Sequence, residues 1–215
     1  MNTTSVTGKN WIYKKFNSPY VNGLIERYSL NETLAKLISF CASTFGTSYM
    51  ILLPIFASDV LQVGAQGFGA MEAAAGTGAI IGTVIVIKMG PANKIGRTII
   101  GCSALFGFAL AIFAFTKLLI LSMIMLLIAG MFQSIYLNFS MTVIQLTVPD
   151  ALRGRVMSIY TTTYFLISIG GFLSGMLAAA TSVPFTIMLF SLIVVFFAFL
   201  IYFILPEVKN IKLEK

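Results

Sequence analysis

The stretch Gly67–Lys88, GFGAMEAAAGTGAIIGTVIVIK, decides how this chain is read. Its side chains are small or apolar, with one carboxylate, Glu72, inside. At ~1.5 Å of rise per residue it extends about 33 Å as a helix, enough to cross a bilayer core. An ionised side chain at the centre of such a helix costs roughly 2.5–3.5 kcal/mol on insertion scales. The apolar run Ala79–Ile87 offsets that cost, so the span survives. An acid within the hydrocarbon thickness is by default a functional-site candidate. Gly78 and Gly82 form a G-x-x-x-G face on which a second helix can pack closely. Glu72, Gly76 and Thr83 are expected to look inward.

The rest of the chain has the same character. Of its 215 residues 58% are hydrophobic and 10% charged, and the mean hydropathy is +0.96. These values define an all-α polytopic membrane protein. The chain has no histidine. That excludes Ser-His triads, His-based zinc sites and histidine proton relays. Cys41 and Cys102 lie in apolar segments and imply no disulfide framework. No paired aspartates or cysteine cluster suggests an intramembrane enzyme, so we expect no catalytic residue, metal or cofactor.

Six spans are expected, at Leu34–Ala57, Gly67–Lys88, Arg97–Phe115, Leu118–Val148, Val156–Ala180 and Val183–Leu205. Residues 1–33 form a polar N-terminal segment without a signal-peptide core. Its aromatic residues and lysines suit either the membrane surface or a solvated lead-in. Residues 206–215 form a polar tail. With the N-terminus inside, 13 of the 14 Lys and Arg residues fall on the inner side and only Lys117 on the outer. The positive-inside rule then puts both termini in the cytoplasm of a multi-pass plasma (inner) membrane protein. It also explains the +7 net charge without a nucleic-acid partner.

Glycine is concentrated in the second span and, at Gly170, Gly171 and Gly175, in the fifth. These are the middle helices of two triplets that cross in opposite senses, the pattern of two inverted three-helix repeats. Polarity is uneven as well. The fourth span carries Ser134, Asn138, Thr142 and Gln145 on one helical stripe. The first carries Ser43 and Thr47, and the fifth carries Tyr160 and Tyr164. The third and sixth are plainer. Spans one, two, four and five are therefore expected to face a polar interior, and three and six to face lipid. Such hydroxyls and amides either line a cavity or hydrogen-bond between helices and to backbone carbonyls.

Two cytoplasmic loops carry a family resemblance. Val148–Val156 contains Pro149, Asp150, Arg153, Gly154 and Arg155, and resembles the P-x-x-x-R-G-R-V connection of the major facilitator superfamily. Met89–Arg97 resembles a degenerate G-x-x-x-D-R/K-x-G-R motif, in which Lys94, Gly96 and Arg97 fit and Asn93 replaces the Asp. Leu53–Leu61, the A-A-x-G-x-G-A run ending at Ala79, and the P-D-x-x-R-G-R-V loop occur in order. The set resembles the second six-helix half of efflux transporters of the enterobactin-exporter and macrolide-efflux type. Glu72 with Gly78 and Gly82 resembles the macrolide-efflux branch in spacing.

The resemblance implies half of a major facilitator fold. It also implies export of a small amphipathic compound, such as a drug or siderophore, by proton-coupled alternating access. Glu72 is the proton-coupling candidate. Ser43, Thr47, Gly76, Ser134, Asn138, Thr142, Gln145, Tyr160 and Tyr164 are the cavity-lining candidates. Family members have twelve helices, so the expected partner beyond the bilayer and the substrate is a second six-helix half or a second copy of this chain. The alternative is a truncated or accessory membrane protein that does not transport and pairs with another bundle.

Overall fold

The computed structural model describes residues 45–46, 48–90, 95–147 and 168–204. Among these there are helices and turns but no strand. We number the helices α1 (Tyr49–Ile55), α2 (Gly64–Met89), α3 (Ile95–Ala114), α4 (Leu119–Thr147), α5 (Ser168–Ala180) and α6 (Val183–Ile204). α2, α3, α4 and α6 are long and apolar enough to cross a membrane. α1 with its continuation to Val60, and α5, are shorter apolar helices. The remainders of the expected first and fifth spans lie outside the described residues, as do Ser43, Thr47, Tyr160 and Tyr164. All-helical architecture is what a bilayer demands, since it offers backbone N–H and C=O groups no water.

The first connection differs from expectation. Ser58–Gln66 was expected as a loop, but Phe56–Val60 continues α1 as a π-helix and Gly64–Gln66 already belong to α2. Pro54, inside α1, cannot donate a backbone hydrogen bond. Beyond it the bonding widens: the Leu61 N–H reaches the Phe56 carbonyl at 3.1 Å and the Val63 N–H reaches Ala57 at 3.0 Å. The chain then reverses through Gln62 and Gly64, both with positive φ (55° and 63°). Gly64 suits that geometry, whereas Gln62 adopts it at a steric cost.

The other ends are conventional. α2 closes at Gly90, where φ is 59° and the N–H bonds the Val86 carbonyl at 3.1 Å. Lys88 in its last turn complements the helix dipole. Between α3 and α4 the buried Thr116 hydroxyl reaches the Phe113 carbonyl at 2.7 Å and the Ser122 hydroxyl at 2.6 Å. At the start of α6, Pro184 lies in the first turn, where its missing N–H has no intrahelical partner to lose.

α4 is central, packing along both α2 and α3, and α3 packs in turn along α6. Lipid is as apolar as leucine, so close van der Waals fit, rather than burial from water, holds these helices together. Small residues permit that fit. A Cβ at Gly78 would fall on the Leu127 carbonyl oxygen, one at Gly82 on that of Met131, and one at Gly130 on that of Ala75. The G-x-x-x-G face of α2 is therefore the face that α4 occupies. Aromatic rings fill the other seams. Phe56 lies 4.5 Å from Phe113, and Phe106 sits between Tyr49 (6.3 Å) and Tyr136 (5.8 Å). Leu53, Met71, Leu126 and Ala129 complete this core and are fully buried.

One expectation about faces changes. α3, expected to look out at lipid, is among the described residues the most enclosed long helix, with more than half of its apolar stretch buried against little more than a quarter in α2. Apolar composition cannot separate a helix wrapped by helices from one wrapped by lipid, because both surroundings accept the same side chains. Among the described residues α2 is the least enclosed of the long helices.

Candidate functional site: the open face of α2 and the polar seam with α4

α2 has two unlike sides. Met71, Ala74, Ala75, Gly78 and Gly82 form its buried side, against α4 and the core. The other side exposes Ala73, Gly76 and Thr77 near Glu72 and then Ile80, Ile81, Val84 and Ile87, with Thr83 exposed at the seam with α4. Glu72 sits at the boundary, half-buried, next in sequence to the fully buried Met71. It lies about 12 Å along the helix axis from Gly64 at ~1.5 Å per residue, further in than the expected start at Gly67 implied. Among the described residues, no side chain hydrogen-bonds or ion-pairs with the Glu72 carboxylate.

Tyr49 of α1 interacts electrostatically with that carboxylate. Its ring is 3% exposed, its hydroxyl has no hydrogen-bond partner among the described residues, and it lies within electrostatic reach of Glu72. A buried hydroxyl without a partner is costly, on the order of 1–3 kcal/mol. Sequence reasoning missed Tyr49. Its row mates Leu52, Leu53 and Phe56 are all core residues, and only the hydroxyl marks it as different. The approach of α1 to α2 that brings it near Glu72 leaves no local sequence signal.

Further along, α2 and α4 share a directed hydrogen-bond chain. The Thr83 hydroxyl donates to the Ala79 carbonyl of its own helix at 3.0 Å. Its single hydrogen thus used, it accepts from the Ser134 hydroxyl, 2.8 Å away. Ser134 in turn accepts from the Asn138 amide nitrogen at 3.2 Å, and that nitrogen also bonds the Ser134 carbonyl at 2.8 Å. The Thr142 hydroxyl donates to the Asn138 carbonyl at 2.8 Å. The stripe thus spends much of its polarity on the helix seam and on the backbone of α4. Exposure along it rises from buried Ser134, through half-buried Asn138 and Thr142, to exposed Gln145.

Of the other candidates, Gly76 is exposed, and a Cβ there would meet nothing within 4 Å. In the first turn of α3, Gly96 is buried and Arg97 exposed. Asn93, Lys94, Pro149, Asp150, Arg153, Gly154 and Arg155 lie outside the described residues. Among the described residues, no group of three or more Cys, Asp or Glu could hold a metal. The structure therefore brings Glu72, Gly76 and Thr83 onto the open half of α2, joins Thr83 to Ser134 and Asn138, and adds Tyr49 behind Glu72.

Comparison with known proteins gives the class. The family model described as transmembrane secretion effector, of the major facilitator type, matches residues 20–215. The chain belongs to that family. Among curated proteins and among solved structures, nothing matches it. The chain is thus a multi-pass membrane protein of a transporter family, in contact with lipid.

Proposed function

We propose that this chain forms one six-helix half of an efflux transporter that exports a small amphipathic organic compound, such as a drug or siderophore, by alternating access. The six spans form two inverted three-helix repeats in the plasma membrane, with both termini cytoplasmic. The observation that carries the reading is the sidedness of α2. Its glycine face is committed to α4, while the face bearing Gly76 and Thr77, with Glu72 at its edge and Thr83 at the seam with α4, has no helix packed on it among the described residues. A second six-helix bundle covers that face, and the substrate path runs between the two. Ser134, Asn138, Thr142 and Gln145 extend the lining along α4. Ser43, Thr47, Tyr160 and Tyr164 supply it from the first and fifth spans. The loops around Asn93–Arg97 and Pro149–Arg155 carry the cytoplasmic motifs that resemble those of the superfamily.

Glu72 carries the coupled proton in this reading. What supports the reading is position: Glu72 is an acid within the hydrocarbon thickness, half-buried at the edge of an apolar core, with no ion-pair partner among the described residues. The test is efflux of a panel of amphipathic compounds from cells expressing the chain with its second bundle. Wild type is expected to lower accumulation, and Glu72→Gln to abolish the dependence on the proton gradient. Export by Glu72→Gln that still follows the gradient removes Glu72 from the mechanism. Absence of export for every compound, with both bundles folded, supports the accessory, non-transporting alternative.

A further inference from the structure

Between α3 and α6 lies a groove of about 200 Å³. Arg97, Ile100, Gly101 and Ala104 line it from α3, and Ala198, Phe199 and Tyr202 from α6. Its shape follows from side-chain size. At Gly107 the helices touch: a Cβ there would lie 3.0 Å from the Ser191 carbonyl oxygen and 2.6 Å from a Val195 methyl. One to two turns towards the start of α3, Ala104 and Gly101 face Ala198, and small residues leave the space empty. Nothing lies within 4 Å of a Cβ built at Gly101. Every side chain of the lining is uncharged except that of Arg97, which stands exposed at the mouth in the first turn of α3. Among the described residues no carboxylate pairs with that guanidinium.

We propose that this groove binds one anionic phospholipid, its phosphate on Arg97 and one acyl chain along Gly101, Ala104 and Phe199. Three features select that occupant. The groove opens on the bilayer, where a long apolar ligand is always present. From Arg97 to Ala104 it runs about 10 Å along the helix at ~1.5 Å per residue, within the ~15 Å depth of one hydrocarbon leaflet. Its single charge lies at the end where the distribution of lysine and arginine places the cytoplasmic headgroups, and a guanidinium forks onto phosphate oxygens with two parallel hydrogen bonds. Tyr202 adds an amphipathic ring at the same level.

The test is native mass spectrometry of the full chain, released from detergent and titrated with phosphatidylglycerol, phosphatidylcholine or inorganic phosphate. Wild type is expected to retain one phosphatidylglycerol in preference to phosphatidylcholine, and to bind inorganic phosphate negligibly. Arg97→Gln should weaken phosphatidylglycerol about fivefold, equivalent to the ~1 kcal/mol of one basic residue at a membrane surface, and remove the headgroup preference. Arg97→Lys should retain most of that preference. Gly101→Leu keeps the charge and fills the channel, so it should lose both lipids while its helical content stays that of wild type. Equal retention of the two lipids by wild type, undiminished binding by Gly101→Leu, or competition by inorganic phosphate alone would overturn the proposal.

Discussion

Single glycines in α2 differ in what a methyl group would meet, and that difference is open to measurement. Gly78 and Gly82 lie against main-chain carbonyl oxygens of α4, which cannot move aside without displacing the helix. Gly76, on the adjoining face, has free space around it. Gly78→Leu should therefore lower stability by about 1–3 kcal/mol, the usual cost of overpacking, seen as a lower melting temperature in detergent. Gly76→Ala should be neutral or raise stability by at most ~1 kcal/mol, because alanine orders a helix more cheaply than glycine. Equal losses from the two substitutions would mean that the Gly76 face is also packed. The same contrast separates two roles that one glycine-rich stretch combines: close approach to α4 at Gly78 and Gly82, and an unobstructed surface beside Glu72.

Between helices, the hydroxyl pair Thr83–Ser134 is the clearest polar link of α2 to α4. A double-mutant cycle with Thr83→Val and Ser134→Ala should give a coupling near 0.6 kcal/mol, typical of interhelical hydrogen bonds in a membrane. Unfolding in mixed detergent measures it, and a coupling indistinguishable from zero would make the pair incidental. Where the described residues contain an end, at both ends of α2, the close of α3 and the starts of α4 and α6, it was legible to within three residues, because apolar runs bounded by Gly, Lys and Thr-rich turns report span length directly. The π-helical Phe56–Val60 was not, since bonding to the fifth residue back leaves no mark in the sequence beyond Pro54. Neither was the enclosure of α3, whose leucines, phenylalanines and isoleucines suit lipid and protein neighbours equally. At the site, the stripe Ser134–Gln145 was visible as a helical spacing. Its engagement with Thr83, 51 residues away, and the nearness of Tyr49 to Glu72 depend on how helices meet, and nothing local encodes that.

For the molecule as a whole, the question is which exposed surface meets lipid and which meets water. Exposure alone does not answer it: Phe196, Phe199 and Phe203 on α6 are as open as Gly76, Thr77 and Thr83 on α2. Chemistry separates them. The α6 surface is wholly aromatic and aliphatic, whereas on α2 the stretch around Gly76 and Thr77 is small and hydroxylated beside a carboxylate, which hydrocarbon solvates poorly, and only beyond it do Ile80, Ile81 and Ile87 stand exposed. If a second bundle covers α2 and a wet path runs between the halves, a thiol placed there is hydrated. In a background with Cys41 and Cys102 replaced by serine, Thr77→Cys should react with a polar maleimide in intact membranes. It should react on the order of tenfold or more faster than Phe196→Cys, because the thiolate is the reacting form and apolar surroundings suppress it. Adding a transported compound should slow Thr77→Cys and leave Phe196→Cys unchanged. Equal, slow labelling at both positions would put the α2 face in lipid, and Glu72 would then sit in a wall with no path beside it.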